Sequence, residues 1–447
     1  MELNWQDEYQ RKLVSLENAS QVVKSGDTVI IAWGGGTPVK LCQSLADRKD
    51  EVEGVTVVQT VNFKSHIPWY EPEYGKAFRL KSQHLRRFDR PPNEAKRLEY
   101  SPMSIGLNFN AAAHFPRASF QPPDVYMVLV SPPDKHGFCS LGSSIWITNF
   151  YTKVFRAKTI VAQIDKEIVK TYGDSKLHVS QIDWFTEPDG EPHELEPLYK
   201  ATKEEAEVIE IIGNLASSMI EDRDCLFIGG GGISQRTISF LDYKQDLGIH
   251  TEIFLSGIVD LIEGGVFTGK YKGVHQGKAV ASEFLATAEE REIIAENPRY
   301  EFYGVEYLDS PKILAMNDNL VAVNTALGVD LTGQICSEAI GSHQYSGSGG
   351  QLDSVIGALM SHGGRSITCL PSTYTREQQV FSRIVPIFQP GTPVTVPRTL
   401  ADYVITEYGI ANLQGKTLKE RAEALNAISH PDFRSELRKE FAKLPYY

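Results

Sequence analysis

The stretch Asp224-Cys-Leu-Phe-Ile-Gly-Gly-Gly-Gly-Ile, followed by Ser234-Gln-Arg-Thr-Ile-Ser-Phe-Leu and then by Gly248-Ile-His-Thr-Glu-Ile, decides the fold class. A short apolar run ending in consecutive glycines reads as a buried strand that turns sharply. The amphipathic run behind the glycines reads as a helix, and the run after Gly248 as the next strand. Strand, glycine turn, helix and strand in that order build a parallel pair with a crossover helix. Glycines in such a turn let a ligand approach the backbone, and the helix behind them presents N–H groups to an anion.

The same unit occurs earlier as Asp27-Thr-Val-Ile-Ile-Ala-Trp-Gly-Gly-Gly-Thr-Pro, then Val39-Lys-Leu-Cys-Gln-Ser-Leu, then Gly54-Val-Thr-Val-Val-Gln. The chain therefore reads as two copies of one plan. Aligning Gly248 with Gly54 sets Glu252 opposite Val58, so a carboxylate stands where the first copy has an apolar strand residue. Burying an ionised carboxylate without partners is costly, so its place in a strand needs a reason. Two readings stay open from the residues alone. One is a buried ion pair or a surface residue at a strand end. The other is a reactive carboxylate at the carboxyl ends of parallel strands, where α/β folds hold their ligands.

Further runs repeat the alternation: Val55-Thr-Val-Val, Tyr126-Met-Val-Leu-Val, Thr159-Ile-Val-Ala-Gln-Ile, Leu320-Val-Ala-Val and Ile367-Thr-Cys-Leu. Fully apolar strands between helical segments predict parallel sheets covered on both faces. The 447 residues are too many for one ordinary core and suit two α/β domains. The polar, proline-rich stretch Thr186-Glu-Pro-Asp-Gly-Glu-Pro-His-Glu-Leu-Glu-Pro has few apolar residues and reads as the connection between them. A helix is expected after it, from about Lys203 to Ile220. The predicted division is 1–190 and 191–447, the second domain carrying Glu252.

With 41% hydrophobic and 23% charged residues, the composition is that of a globular protein without a membrane span. The amino-terminal Met-Glu-Leu-Asn-Trp-Gln-Asp lacks the basic and apolar regions of a secretion signal, which gives the expectation of a cytoplasmic protein. Five scattered cysteines with no CxxC pair indicate neither a disulfide framework nor a zinc cluster. A formal net charge of −12 argues against a nucleic-acid binder, though a local cluster of donors can still hold an anionic small ligand.

Ser346-Gly-Ser-Gly-Gly-Gln-Leu-Asp precedes the helical Val355-Ile-Gly-Ala-Leu-Met, and its glycines can turn backbone N–H groups toward an oxyanion or phosphate. A plain loop is the alternative, since the stretch matches neither the dinucleotide fingerprint nor the P-loop. His136, in the polar turn Pro132-Pro-Asp-Lys-His-Gly, reads as a structural hydrogen-bonder. His250 lies two residues before Glu252, so it should point to the same side of the strand, where it can orient or tune the carboxylate. There is no His-Glu-x-x-His and no Gly-x-Ser-x-Gly.

Gly248-Ile-His-Thr-Glu-Ile-Phe, Ser346-Gly-Ser-Gly-Gly-Gln-Leu-Asp and Ile405-Thr-Glu-Tyr-Gly-Ile-Ala-Asn-Leu-Gln-Gly-Lys resemble motifs of the acetyl-CoA hydrolase/transferase family. Ser131-Pro-Pro-Asp-Lys-His-Gly, Val274-His-Gln-Gly-Lys-Ala-Val, Val329-Asp-Leu-Thr-Gly-Gln, Ser382-Arg-Ile-Val-Pro and Ile428-Ser-His-Pro-Asp-Phe-Arg extend the resemblance over essentially the whole chain. The resemblance implies two tandem open α/β CoA-transferase domains with the active site in the cleft between them. It also implies an acyl-CoA:carboxylate CoA-transferase acting on short-chain acids, with Glu252 as the nucleophile. The backbone N–H groups of Gly230 and of Gly347, Gly349 or Gly350 become candidate oxyanion donors. Gly347, Gly349, Gly350, Lys278, Lys416 and Arg398 become candidate contacts to coenzyme A. Coenzyme A and acyl-CoA are then substrates, with no metal, no tightly bound cofactor, no nucleic acid and no membrane partner expected. A homodimer is the fold-level expectation. The alternatives are an acyl-CoA hydrolase using the same Glu252, or a non-catalytic acyl-CoA-binding protein. Departures at Trp33, Thr37, Ser234-Gln-Arg, Ser354 and Ser104-Ile-Gly-Leu-Asn-Phe-Asn leave the acyl group open.

Overall fold

The computed structural model describes residues 4–62, 66–114, 121–143, 145–192 and 202–445. The chain forms two compact units, one of residues 1–197 with 280–308 and one of residues 198–279 with 309–447. The expected division at 190 assigned residues 280–308 to the second domain, whereas in the structure this segment packs with the first unit. Nothing in its composition marks it, because what sends it there is tertiary packing. Of the connecting stretch, residues 193–197 lie outside the described residues.

The first unit is built on seven parallel strands: β1 (Thr28–Ile31), β2 (Val55–Val58), β3 (Phe78–Ser82), β4 (Leu98–Tyr100), β5 (Val125–Val130), β6 (Thr159–Ile164) and β7 (Trp184–Thr186). Their spatial order is β7-β6-β5-β1-β2-β3-β4. Every residue of β5 is buried, as a sheet covered on both faces requires. Helix α1 (Val39–Ala46) lays Val39, Leu41, Cys42, Leu45 and Ala46 into the core with Val29, Ile31, Val55 and Val57. The spacing of these residues is that of one helical face.

In the second unit, α2 (Lys203–Ser218) starts at a capping box in which Thr202 and Glu205 satisfy each other's backbone N–H. Its sheet has the order β9-β8-β10-β11-β12-β13, with β8 (Cys225–Ile228), β9 (Gly248–Ile249), β10 (Leu320–Thr325), β11 (Arg365–Cys369), β12 (Tyr403–Thr406) and β13 (Gly409–Asn412). All neighbours are parallel except the closing β12–β13 hairpin. Helix α3 (Gly232–Ile238) follows the glycine turn, and α4 (Gln351–Met360) precedes β11. The α/β class with mainly parallel sheets is thus the observed one. Among the described residues no helix is long and apolar enough to cross a membrane.

The direction in which successive strands are added reverses in both sheets, between β1 and β5 in the first and between β8 and β10 in the second. The carboxyl ends of strands beside such a reversal are where open α/β sheets bind ligands. Both glycine turns sit there.

Candidate active site

Backbone hydrogen bonds fix how the two copies correspond. Asp27 accepts the N–H of Lys24 at 2.7 Å, and Asp224 accepts that of Glu221 at 2.6 Å. Thr56 N–H donates to Asp27 O and Gly248 N–H to Asp224 O, both at 2.8 Å. Gly248 therefore matches Thr56, and Glu252 matches Thr60, not Val58. The alignment on glycines slips by two residues, because Gly54 precedes its strand while Gly248 lies within β9. Glu252 occupies a position just beyond the strand end, on the ligand side of the sheet.

The strand is also not continuous through Glu252. β9 stops at Ile249, and extended structure resumes only at Ile253–Phe254. The cause is Thr251. Its hydroxyl donates to Ile228 O at 2.8 Å and accepts from Ile228 N–H at 3.0 Å, taking both ladder positions that a backbone would fill. A side chain in place of a main chain displaces the backbone outward, and Glu252 lies in the resulting bend. The period-two argument that paired His250 with Glu252 fails for the same reason. His250 is fully buried, with its ring 6.2 Å from that of His275.

Glu252 is half-buried in the bend that follows β9. A β-carbon built on Gly350 would stand 3.3 Å from Glu252 Oε2, 3.1 Å from Asp309 Oδ2 and 3.5 Å from Phe227 Cζ. Burial raises the pKa of Glu252 to about 7, and the charge of Asp353 pushes in the same direction. Both aspartates are fully buried. A carboxyl in this setting keeps more of its basicity than a solvated one.

The structure brings Gly350 to the Glu252 carboxyl. Gly347 and Gly350 are buried, and Gly349 takes the left-handed conformation at φ 55° in the turn before α4. Gly230 is exposed in the turn after β8, between Gly229, whose added β-carbon would meet Asn324 Oδ1 at 3.3 Å, and Gly231 at φ 156°. Lys278 is half-buried at the end of the loop that follows the helix Ile258–Glu263. Lys416 and Arg398 are exposed, and their carbonyls converge on Arg421, which donates to Lys416 O at 3.3 Å and Arg398 O at 2.5 Å. Arg421 and Arg398 are close enough for the second cation to depress the first's pKa after burial does.

In the first copy the equivalent place is filled. Trp33, fully buried, stands where Gly230 stands in the second copy. Gly35 N–H donates to Glu283 Oε2 at 2.9 Å. At the start of α1 the Val39 and Lys40 N–H groups donate to the Glu191 carboxylate at 3.1 and 3.2 Å, and Gln163 Nε2 donates to it at 2.7 Å. The protein's own carboxylates thus occupy the donors that an anionic ligand would use.

Sequence reasoning passed over three polar residues beside Glu252 and its turn. Asp353 ends the Ser346-Gly-Ser-Gly-Gly-Gln-Leu-Asp stretch, where the glycines are the stronger local signal. Asn324 interrupts an apolar strand at the reversal point, a readable signal, and its amide donates to Ser354 Oγ at 3.0 Å. Asp309 had no local signal. Among the described residues no group of three His, Cys, Asp or Glu side chains is placed to hold a metal ion.

Comparison with known proteins shows the family. The acetyl-CoA hydrolase/transferase N-terminal domain matches residues 1–194, and the C-terminal domain of the same family matches residues 288–441. The chain is 37% identical over 448 residues to the 4-hydroxybutyrate coenzyme A transferase of Clostridium kluyveri, covering 99% of this chain and 100% of that protein. It is 36% identical to the succinyl-CoA:cyclohexane-1-carboxylate CoA transferase of Geobacter metallireducens, covering 97% and 96%. Among solved structures, RipA from Yersinia pestis superposes with a TM-score of 0.87 at 30% identity over 99% of both chains. The 4-hydroxybutyrate CoA-transferase of Porphyromonas gingivalis gives 0.79 at 31% identity, covering 98% of this chain and 100% of that one. The chain belongs to the acetyl-CoA hydrolase/transferase family and is a CoA-transferase.

Proposed function

We propose that the protein moves coenzyme A between short-chain carboxylic acids through a covalent intermediate on Glu252. The observation that carries this reading is the half-buried Glu252 carboxyl, set in a bend against Gly350 with its basicity raised by burial. The substrate class is taken from the names of the relatives, which are acyl-CoA and carboxylate CoA-transferases.

The ionised Glu252 attacks the thioester carbonyl, the C–S bond breaks, and coenzyme A leaves as its thiolate with a glutamyl-acyl anhydride behind it. The thiolate then attacks the glutamyl carbonyl. The anhydride C–O bond breaks, the first acid departs as a carboxylate, and a glutamyl-CoA thioester remains. An incoming carboxylate attacks that thioester, and the two steps run in reverse to give the new acyl-CoA. Each step passes through a tetrahedral oxyanion, for which the N–H groups of Gly230 and of Gly347, Gly349 or Gly350 are the donors of this scheme. Lys278, Lys416 and Arg398 are assigned to the phosphates. The scheme needs no metal or tightly bound cofactor, and describes a cytoplasmic homodimer working on freely diffusing substrates.

Initial rates of formation of the new acyl-CoA, and of free CoA, from a short acyl-CoA measured with and without added acetate or butyrate test this reading. Transfer predicts acetyl-CoA or butyryl-CoA that forms only with the carboxylate, without net release of free CoA and with parallel double-reciprocal lines. Release independent of acceptor would mark a hydrolase, and binding without turnover a non-catalytic acyl-CoA binder.

A further inference from the structure

Lys272 is a lysine in an unusual place, 4% exposed in the second unit. Its stem crosses β9 over Gly248, where a β-carbon would stand 2.7 Å from Lys272 Cγ. This close approach is a local reason for glycine at the head of the Gly248-Ile-His-Thr-Glu252 run. The ammonium donates to Ile249 O at 2.9 Å and to Lys278 O at 3.0 Å.

Both acceptors matter. β9 is the edge strand of its sheet, and Gly248 and His250 direct their N–H groups to β8, so the Ile249 peptide groups face outward. Lys272 therefore occupies the outward carbonyl of the last strand residue before the His250–Glu252 bend. Thr251 holds that bend from the β8 side. Lys278 O ends a loop stitched back on itself: Gly277 N–H donates to Gly269 O, and Gly269 N–H to Leu247 O, both at 2.9 Å. A β-carbon on Gly273 would stand 1.9 Å from Met316 O, so the loop is also pressed against its neighbour. A flexible surface lysine would gain little from this arrangement, whereas a desolvated one binding two carbonyls fixes the segments that carry them.

We propose that Lys272 is a positioning residue that couples the Lys278 loop to the Glu252 bend, so that engagement of the CoA nucleotide is transmitted to the nucleophile. The inference rests on the reading of Glu252 as nucleophile and of Lys278 as a phosphate contact. It supplies a route by which binding energy from a remote part of the substrate acts at the reacting end.

The test compares kcat/KM for a short acyl-CoA with that for the same acyl thioester of pantetheine, which lacks the phosphates. Lys272→Met should lower the ratio of the two by about tenfold or more, and Lys272→Arg should restore most of it. Loss of general structure would lower both rates and leave the ratio alone. Wild-type protein supplies a second measurement that does not depend on a variant folding. Amide exchange in a peptide spanning residues 248–254 should slow with CoA and much less with pantetheine. An unchanged ratio in folded Lys272→Met, or equal protection by the two ligands, overturns the coupling. Borohydride trapping on wild-type Glu252 in parallel separates the two readings, since an untrapped Glu252 removes the nucleophile itself.

Discussion

Gly350 and Glu252 meet so closely that an added β-carbon would lie 3.3 Å from Glu252 Oε2 and 3.1 Å from Asp309 Oδ2, so that these carboxyls would have to give way slightly. Gly350 has φ −88°, a backbone conformation open to any residue. Gly350→Ala should therefore fold with little change in Tm and yet displace the carboxyl. The displacement is smaller than the 1 Å misplacement that costs about 100-fold, so we expect kcat/KM to fall by about 10-fold. Steady-state kinetics beside thermal melts check this.

The pH dependence follows from the raised pKa of Glu252, about 7, caused first by burial and then by Asp353. Only the ionised carboxylate attacks, so kcat/KM should rise tenfold per pH unit below about 7 and level off above it. Asp353→Asn removes the second cause and leaves burial, so the break in the profile should move to lower pH without returning to that of a solvated glutamate.

The same shift is a statement about stability. A carboxyl whose folded pKa lies above its unfolded value has its full stability below the unfolded pKa and loses it as pH rises through the folded one. Between the ordinary glutamate range and about pH 7 the folded state binds more protons, and ionising Glu252 weakens it. Glu252→Gln should melt with wild type at pH 4.5 and above it at pH 8. A Tm difference that is constant with pH would contradict the assignment.

Thr251→Val keeps shape and removes the hydroxyl that satisfies both Ile228 peptide groups. Two buried backbone groups left without partners cost about 2–6 kcal/mol together. Urea unfolding should show that loss, and activity per folded molecule should fall as the bend relaxes.

Glu191→Ala strips the carboxylate from the start of α1 and from Gln163. The expected loss is about 1–3 kcal/mol, the range for caps and charge-assisted hydrogen bonds. Because the first glycine turn is filled by the protein itself, kcat/KM per folded molecule should stay within about twofold. Denaturation curves and kinetics on the same preparation check both halves.

The parts of this architecture that are legible in the sequence are those set by local chemistry. Apolar runs such as Tyr126-Met-Val-Leu-Val mark strands buried on both faces, and consecutive glycines mark the turns at the sheet reversals. Glu252 stands out because a carboxylate beside such a turn is costly to leave without a purpose. What was illegible depends on the third dimension. The bend at 250–252 exists because the Thr251 side chain replaces a main chain, which no periodicity records. The two-residue slip arose because a glycine can precede a strand, as Gly54 does, or lie inside it beneath a lysine stem, as Gly248 does. Asp309 reaches Gly350 from 41 positions away in the sequence, and Glu283 reaches Gly35 from 248 away. Neither pairing leaves a mark in the residues around it.

The central claim, that Glu252 carries the coenzyme, is tested most directly by intact-protein mass after incubation with a short acyl-CoA and no acceptor, followed by borohydride. Reduction of a glutamyl-CoA thioester to the alcohol lowers the mass by about 14 Da at the nucleophile. The account predicts that change and its location, by peptide mapping, on Glu252. A protein that releases coenzyme A with its mass unchanged, or that carries the change on another residue, would contradict it.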